Sequence, residues 1–276
     1  MASSGADQQP AVLLEIRESV ATITLNRPDR RNAASWEIVT GLRAAIDQVA
    51  DAAEARVLVL TGSGRHFCVG ADLARVRSDD PADQEHRTLR GHSLEDDLDR
   101  LTQASSVIQS LVDFPKPTIA AVNGACAGAG LSLALAADVQ VVSADANIST
   151  AFVTAAVSGD LGSAWLISRA VGSARARSLL LDPVRLTGAQ AAEMGLMTEA
   201  TDDLSSRVDA LARKLAAQAP RAMMLLKRNL GDATAPRLAD YLRAEVPRMV
   251  ETARSRDART AAAAFLDKQQ PVFTGE

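Results

Sequence analysis

The run VNGACAGAGLSLALAAD at residues 122–138 constrains the fold of this chain more than any other part of its sequence. Its side chains are almost all small or aliphatic, so its backbone can approach neighbouring segments closely. The preceding FPKPTIAAV predicts a buried strand, and the residues after the glycines predict a helix over 130–137. A helix that begins directly after such a turn leaves its first N–H groups without partners, where a negatively charged oxygen can bind. Close packing of the helix on a sheet explains the same composition equally well.

The glycines of this run do not form a phosphate-binding motif. They stand at positions 124, 128 and 130, which does not match GxGxxG, and no Gly-Lys-Ser/Thr sequence follows them. A second turn of small residues, FCVGADL at 67–73, follows the strand predicted at 56–61, with Asp72 as a possible helix N-cap. Two such turns can each supply one backbone N–H. Two converging N–H groups form an oxyanion hole, which contributes several kcal/mol to an enolate or a tetrahedral intermediate.

Strands alternate with helices along most of the chain. AVLLEIR (11–17) and VATITLN (20–26) alternate apolar and polar residues around a Glu-Ser turn, which predicts a β-hairpin. Ser35 is the predicted N-cap of a helix that runs to about residue 50. The other elements predicted are strands at 139–143 and near 196–200, and amphipathic helices over 203–268. The pattern predicts an α/β fold with a helical C-terminal region.

The bulk composition argues against several classes of function. The chain has 276 residues, 47% of them hydrophobic, and a net charge of −4, which favours a globular protein and argues against nucleic-acid binding. We expect no membrane span and no signal peptide, and therefore a cytoplasmic protein. The three histidines and two cysteines lack metal-ligand spacing, so we expect neither a metal site nor a disulfide.

Residues 78–100 are rich in acidic side chains. Such a charge run predicts a solvated insertion that leads into a helix ending near Asp113. An exposed face is the simpler interpretation, and a lid over a bound ligand is the alternative.

Four segments of this sequence, in this order, resemble the enoyl-CoA hydratase/isomerase family, also called the crotonase superfamily. They are LNRPDRRNA (25–33), GRHFCVGADL (64–73), KPTIAAVNGACAGAGLSLALAAD (116–138) and LTGAQAAEMGLM (186–197). The resemblance implies a crotonase-like spiral of ββα units with a C-terminal helical trimerisation region, assembled as a homotrimer or a dimer of trimers. It also implies an acyl-CoA thioester substrate, whose carbonyl oxygen lies between the backbone amides of Ala71 and Ala129.

The resemblance also places the parts of the chain that bind CoA. We expect a disordered tail (1–10), a spiral core with the acyl-CoA site (11–200) and a helical oligomerisation region (201–276). Two arginines are candidates for the CoA phosphates, although solvated surface arginines would look the same. A C-terminal motif completes the nucleotide pocket, in some family members from a neighbouring subunit. The expected CoA-binding residues are Arg30, Arg31, Val69, Gly70, Ala71, Asp72, Leu73, Gly128, Phe265 and Lys268.

The sequence departs from the hydratases of this family at two positions. Ser132 and Phe152 stand where those enzymes have glutamates, and neither can deprotonate water or handle the α-proton. Family members with a Ser-like residue at 132 often carry an acid that matches Asp160, in SGDLGSAW (158–165). These members include isomerases, in which one carboxylate moves a proton along the acyl chain. Capping of a helix that begins near residue 162 is the structural alternative for Asp160.

The sequence therefore predicts an enoyl-CoA isomerase in which Asp160 shuttles the proton and Ala71 and Ala129 polarise the thioester carbonyl. Ser132 would leave space or position a water. We expect no cofactor other than the coenzyme A carried by the substrate. One alternative is an enoyl-CoA hydratase with unconventional residues, in which Asp160 and Ser132 hold the water. Another is an acyl-CoA-binding protein that has lost catalysis.

Overall fold

The computed structural model describes residues 9–72, 93–150, 152–234 and 237–276, and the strands among them form two sheets. The larger sheet has the spatial order β1 (Val12–Arg17), β2 (Val20–Leu25), β3 (Val57–Gly62), β5 (Thr118–Val122), β7 (Val139–Ser143) and β10 (Glu199–Thr201). The smaller sheet has the order β4 (His66–Cys68), β6 (Ala125–Ala127), β8 (Asn147–Ser149) and β9 (Arg185–Thr187).

A unit of two strands followed by a helix repeats along the chain. The first helices are α1 (Trp36–Asp51), α2 (Leu94–Val112), α3 (Ala129–Leu135), α4 (Ser163–Leu181) and α5 (Gly188–Glu193). The units β3-β4-α2, β5-β6-α3 and β7-β8-α4 each place one strand in the larger sheet and one in the smaller. The chain therefore winds as a spiral of ββα units, which confirms the α/β fold that the resemblance implies.

The local predictions for the N-terminal half are confirmed. β1 and β2 pair antiparallel across a tight turn at Glu18 and Ser19, whose φ angles of 48° and 65° match the left-handed turns that hairpins favour. Ser35 caps α1 by accepting a hydrogen bond from the backbone N–H of Ile38. The helix predicted over 130–137 begins and ends earlier, at Ala129 and Leu135.

The core lies on both faces of the larger sheet. Its parallel strands alternate their side chains between the faces. On one face, α1, α2 and α3 cover an aliphatic cluster that includes Leu58, Ala120 and Val142. On the other face, α6 (Leu204–Ala216) covers a smaller cluster that includes Val59 and Ile119. Both faces of β5 are thus buried, as its uninterrupted apolar sequence predicts.

The C-terminal region is helical, as expected, and is fastened to the sheet by ion pairs and backbone contacts. Its further helices are α7 (Pro220–Asp232), α8 (Leu238–Ala253) and α9 (Arg256–Leu266). The ammonium of Lys227 on α7 lies 2.8 Å from the Asp138 carboxylate and donates to the carbonyl of Lys116 at 3.0 Å. Arg56 donates to the carbonyl of Phe273 at 3.0 Å, which holds the C-terminal segment near β3.

Candidate active site

Two glycine turns meet back to back at the ends of β4 and β6. Gly70 and Gly128 have φ angles of +93° and +53°, which a residue with a side chain rarely adopts. A Cβ on Gly128 would lie 3.4 Å from the Gly70 Cα, and a Cβ on Gly70 would lie 3.2 Å from the Ala127 carbonyl oxygen. The two turns are therefore in backbone contact, and this contact brings Ala71 and Ala129 into the same neighbourhood.

The backbone N–H groups of Ala71 and Ala129 have no acceptor among the described residues. Ala129 is the first residue of α3, so its N–H has no partner within the helix. Ala71 forms a bridge with Ala34, but the bridge uses other atoms: Ala34 N donates to Gly70 O at 2.7 Å, and Asp72 N donates to Ala34 O at 3.1 Å. Two free N–H donors at neighbouring turns can stabilise one negatively charged oxygen.

An ion-pair cluster holds the turn that carries Ala71. The Asp72 carboxylate, 3% exposed, lies 3.1 Å from a guanidinium nitrogen of Arg27 and 2.7 Å from one of Arg30. Arg27 also donates to the carbonyl of Ala33 at 3.1 Å. Within this cluster Asp72 binds two arginines, and Arg30 already contacts a carboxylate. The neighbouring Arg31 is exposed, with a left-handed φ of 53°.

Two asparagines that sequence reasoning did not single out hold the turn between β3 and β4. Asn32 is fully buried, and its side-chain amide donates to the carbonyls of Ser63 and His66 at 3.0 and 2.6 Å. Asn123 donates to the carbonyls of Gly62 and Gly64 at 2.9 and 3.0 Å. Asn32 lies in the segment 25–33, and its left-handed φ of 54° is one that asparagine tolerates, so the segment itself carried the signal.

Asp160 lies on a strained turn between the smaller sheet and α4. Burial raises the pKa of its carboxyl above the usual value, and a hydrogen bond from the Leu161 backbone N–H opposes this only in part. Its carboxylate does not cap α4: the N-cap is Gly162, which has no side-chain hydrogen bond. The structure therefore does not bear out the capping alternative for Asp160.

The Asp160 carboxylate is electrostatically close to the glycine turns. Burial raises the pKa of the Cys68 thiol to about 11, and the negative charge of Asp160 contributes to this increase. Cys68 is the last residue of β4 and stands three positions before Ala71. The charge of Asp160 therefore acts on the last residue of the strand that leads into the Ala71 turn.

Ser132 and Phe152 lie where the resemblance places the two glutamates of hydratases, and both are buried. Ser132 is fully buried in α3 and donates its hydroxyl hydrogen bond to the main-chain carbonyl of Asp160 at 3.0 Å. Phe152 is 4% exposed and has no ionisable group. Neither side chain can therefore act as a carboxylate, and the Ser132 hydroxyl donates to a protein atom.

A cavity of about 860 Å³ opens beside the Asp160 turn. Leu161 and Gly162, the two residues after Asp160, lie in its wall together with Trp165 at the start of α4. The opposite walls come from α2 and α7, with Ile108 and Lys227 among the lining residues. The volume is large enough for a small-molecule group of substantial size.

The remaining predicted CoA-binding residues are spread over the surface. Val69 is half-buried, follows β4 and directly precedes the Gly70 turn. Phe265 is 84% exposed near the end of α9, and Lys268, also exposed, follows that helix. Leu73 and most of the acidic insertion at 78–100 lie outside the described residues. The last residues of the insertion form the start of α2, which ends at Val112 with Asp113 as its C-cap, as predicted.

The described residues contain neither a metal-binding cluster nor a membrane-spanning helix. Across residues 9–72, 93–150, 152–234 and 237–276, no group of three or more His, Cys, Asp or Glu side chains is arranged to hold a metal ion. In the same described segments, every helix is too short or too polar to cross a membrane.

The fold is that of solved enoyl-CoA hydratases, which defines the class of protein. The structure superposes on the crystal structure of an enoyl-CoA hydratase from Bacillus anthracis with a TM-score of 0.87 at 26% identity, over 96% of this chain and 100% of that one. A structure of an enoyl-CoA hydratase from Polaromonas sp. JS666 gives a TM-score of 0.86 at 29% identity, over 95% of this chain and 99% of the other.

The sequence comparisons identify the family. The family model described as enoyl-CoA hydratase/isomerase matches residues 15–276. The 1,2-epoxyphenylacetyl-CoA isomerase of Escherichia coli K12 is 36% identical over 96% of this chain and 98% of its own. A probable enoyl-CoA hydratase of Rhodobacter capsulatus is 37% identical over 95% of this chain and 96% of its own. The chain therefore belongs to the enoyl-CoA hydratase/isomerase family.

Proposed function

We propose that this protein is an enoyl-CoA isomerase that moves the double bond of an acyl-CoA thioester from C3 to C2. One observation carries the proposal. Two backbone N–H groups at contacting turns, neither of which has an acceptor among the described residues, are combined with Asp160, a partly buried carboxyl of raised pKa, while the positions of Ser132 and Phe152 hold no carboxylate. A 1,3-shift needs one base that becomes an acid, whereas hydration also needs a group that activates water.

The proposed mechanism uses the two turns to stabilise charge. The thioester carbonyl oxygen accepts hydrogen bonds from the N–H groups of Ala71 and Ala129. When the proton leaves C2, the electron pair of the C–H bond moves into the carbonyl system and forms a dienolate whose oxygen is held by these donors. The donors are fixed before the reaction, so little reorganisation opposes formation of the dienolate.

Asp160 moves the proton in this proposal. Its carboxylate removes the proton at C2 and, as a carboxylic acid, returns the same proton at C4, while the double bond shifts from C3–C4 to C2–C3 and the carbonyl re-forms. No redox partner is needed, because no electrons leave the substrate. Burial supports this role, since it raises the pKa of the carboxyl and so favours the protonated form that the intermediate requires.

The CoA moiety is proposed to lie along Val69, Gly70, Ala71 and Asp72, with the acyl group directed towards the cavity beside Asp160. Arg31 is the better candidate for a CoA phosphate, because it is exposed, whereas one guanidinium nitrogen of Arg30 contacts the Asp72 carboxylate at 2.7 Å. Phe265 and Lys268 remain proposed contacts to the nucleotide.

An exposed apolar stripe supports the proposed homotrimer or dimer of trimers. Within α8, all of whose residues the structure describes, no residue is buried. The exposed apolar side chains of this helix follow helical spacing and are Leu238, Leu242, Val246, Met249 and Val250. Exposed apolar surface of this extent is typical of contacts between subunits.

The test of the proposed function compares two aspartate variants. Asp160→Asn keeps the size of the side chain and its acceptor for the Leu161 N–H but removes the base, so turnover of a 3-enoyl-CoA should fall by about 10²–10⁴-fold. The reaction is followed by the absorbance of the conjugated 2-enoyl product, and CoA binding by calorimetry should be retained. Asp145→Asn, at an exposed aspartate on the β7–β8 turn, is the matched control and should keep the activity of the parent.

The same assay distinguishes the alternatives. Unchanged turnover in Asp160→Asn would refute the role of Asp160. Rapid loss of the conjugated absorbance of a 2-enoyl-CoA would instead identify a hydratase. Binding of acyl-CoA without turnover across a panel of 2-enoyl and 3-enoyl thioesters would identify a binding protein.

A further inference from the structure

The buried hydroxyl of Ser132 on α3 bonds to a main-chain carbonyl of the turn that precedes α4. This carbonyl therefore links α3, the turn and α4. Ser132 is 0% exposed, and its Oγ donates to the main-chain oxygen of Asp160 at 3.0 Å. The same oxygen accepts the backbone N–H of Ser163, the first residue of α4, at 2.9 Å. The Ser132 hydroxyl is therefore directed at the protein backbone rather than at the cavity.

The turn that Ser132 contacts adopts a conformation that its sequence does not favour. Gly159, Leu161 and Gly162 have φ angles of +135°, +46° and +73°. Leu161 is not a glycine, so its left-handed conformation is strained, and such strain persists only where surrounding contacts impose it. Leu161 is also buried, at 6% exposure, which anchors the turn from the side of the cavity.

The direction of the Asp160 side chain depends on this turn. Among the described residues, the contacts of Asp160 are local: its carboxyl accepts from the Leu161 N–H, and its own N–H donates to Ser163 Oγ at 3.4 Å. Among the described residues, the hydrogen bond that ties Asp160 to α3 comes from Ser132. A shift of the turn relative to α3 would therefore move the carboxylate relative to Ala129, the first residue of the same helix.

We propose that Ser132 is a positioning residue, which holds the Asp160 turn against α3 and thereby sets the carboxylate at a fixed distance from the Ala129 N–H. It acts through the Asp160 main chain and does not touch the substrate. The proposal rests on the proposed function, in which Asp160 carries the proton. It replaces the expectation that Ser132 leaves space or positions a water.

The test is Ser132→Ala, with Thr118→Val as the matched control. Thr118 is also buried, and its hydroxyl also links two segments of the chain. It donates to the Asp138 carboxylate at 2.9 Å and accepts the Asp138 N–H at 2.8 Å. Thr118 is the first residue of β5, at the end of the strand that lies away from the glycine turns. Loss of positioning should lower the kcat of Ser132→Ala by about 10- to 100-fold and leave its KM within about twofold of the parent. Thr118→Val should lose stability but keep kcat.

The pH profile separates positioning from a purely structural role. A loosened turn exposes the carboxyl to water, so the acidic limb of the kcat profile should move towards lower pH in Ser132→Ala and stay in place in Thr118→Val. If Ser132→Ala does not fold, Ser132→Cys keeps the size of the side chain and weakens the donor, and it should show the same changes at smaller amplitude. A kcat and a pH profile equal to those of the parent would overturn the proposal.

Hydrogen exchange gives a readout that does not depend on activity. Ser132→Ala should increase amide exchange in the peptide that covers residues 159–166 and leave the strand at 118–122 unchanged, whereas Thr118→Val should do the reverse. If the parent enzyme does not isomerise a 3-enoyl-CoA, the proposed function is wrong. Amide exchange then still tests whether Ser132 holds the Asp160 turn. Unchanged exchange at 159–166 overturns the inference, and an increase confined to that turn supports it.

Discussion

Asp160 occupies an environment in which a negative charge is unfavourable. Burial raises the pKa of its carboxyl, and among the described residues no arginine or lysine shifts this pKa. The neighbouring Cys68 thiol has its pKa raised to about 11, mainly by burial and to a lesser degree by the charge of Asp160. This contrasts with Asp72, which two arginines neutralise. Of these two aspartates, Asp160 is therefore suited to exchange a proton, whereas Asp72 is suited to hold the turn that carries Ala71.

The raised pKa of Asp160 should make the free energy of unfolding depend on pH. A carboxyl whose pKa is higher in the folded state stabilises the fold at pH values below its unfolded pKa, and this contribution is lost as the pH rises through the folded pKa. Asp160→Asn removes the buried charge, so it should be at least as stable as the parent at pH 7. Its advantage in the urea midpoint should shrink towards zero as the pH falls below about 4. A variant clearly less stable than the parent at pH 7 would contradict this account.

The glycine-rich run of 122–138 has two physical functions in the structure. The backbone of α3 packs directly on β4, because a Cβ on Gly130 would overlap the Cys68 carbonyl oxygen. A Cβ on Gly124 would likewise overlap the carbonyl of Arg65. Close packing and a free N–H at Ala129 are therefore not alternatives, since the small residues that allow the first also bring the second beside the Gly70 turn.

The contact between α3 and β4 predicts the effect of one added methyl group. Gly130→Ala places a Cβ against the backbone of Cys68, which cannot move as a side chain could, so the variant should be destabilised by about 1–3 kcal/mol or more. Gly231→Ala on α7, where a Cβ meets no atom within 4 Å, is the control and should be neutral or slightly stabilised. Urea unfolding measures both, and equal stability of the two variants would refute the packing argument.

Local patterns predicted the elements, and long-range contacts decided the site. The hairpin, the Ser35 cap and the buried strand β5 follow from neighbouring residues alone. The ion pair between Arg30 and Asp72 joins residues 42 positions apart, so spacing along the chain could not reveal it. The bond from Ser132 to Asp160 spans 28 positions and was missed for the same reason. The family resemblance identified these residues as candidates, but only the folded structure shows which residues they contact.

At the scale of the whole molecule, the helical C-terminal region is joined to the core and still exposes apolar surface. Asp257, 5% exposed, accepts hydrogen bonds from the backbone N–H groups of Thr274 and Gly275 at 2.9 and 2.8 Å, which folds the last residues back on α9. No described residue covers the apolar stripe of α8. A second copy of the chain is the proposed cover.

Self-association through this stripe is measurable. Sedimentation of the parent protein should give the mass of three or six chains. Leu242→Glu combined with Val246→Glu should shift the distribution to monomers, because charged side chains are unfavourable in an apolar contact. Glu251→Gln, at an exposed residue of α8 that faces Arg221 instead of the stripe, is the control and should keep the parent's mass. A monomeric parent protein would contradict the proposed assembly.

In the proposed mechanism, one thioester oxygen meets the N–H groups of both Ala71 and Ala129 while Asp160 faces the carbons between which the proton moves. A crystal structure with a non-reactive acyl-CoA analogue tests it most directly. We expect the thioester oxygen to lie about 2.7–3.1 Å from both backbone nitrogens and the Asp160 carboxylate to lie within reach of C2 and C4. A thioester oxygen bound elsewhere, or an Asp160 carboxylate turned away from both carbons, would contradict it.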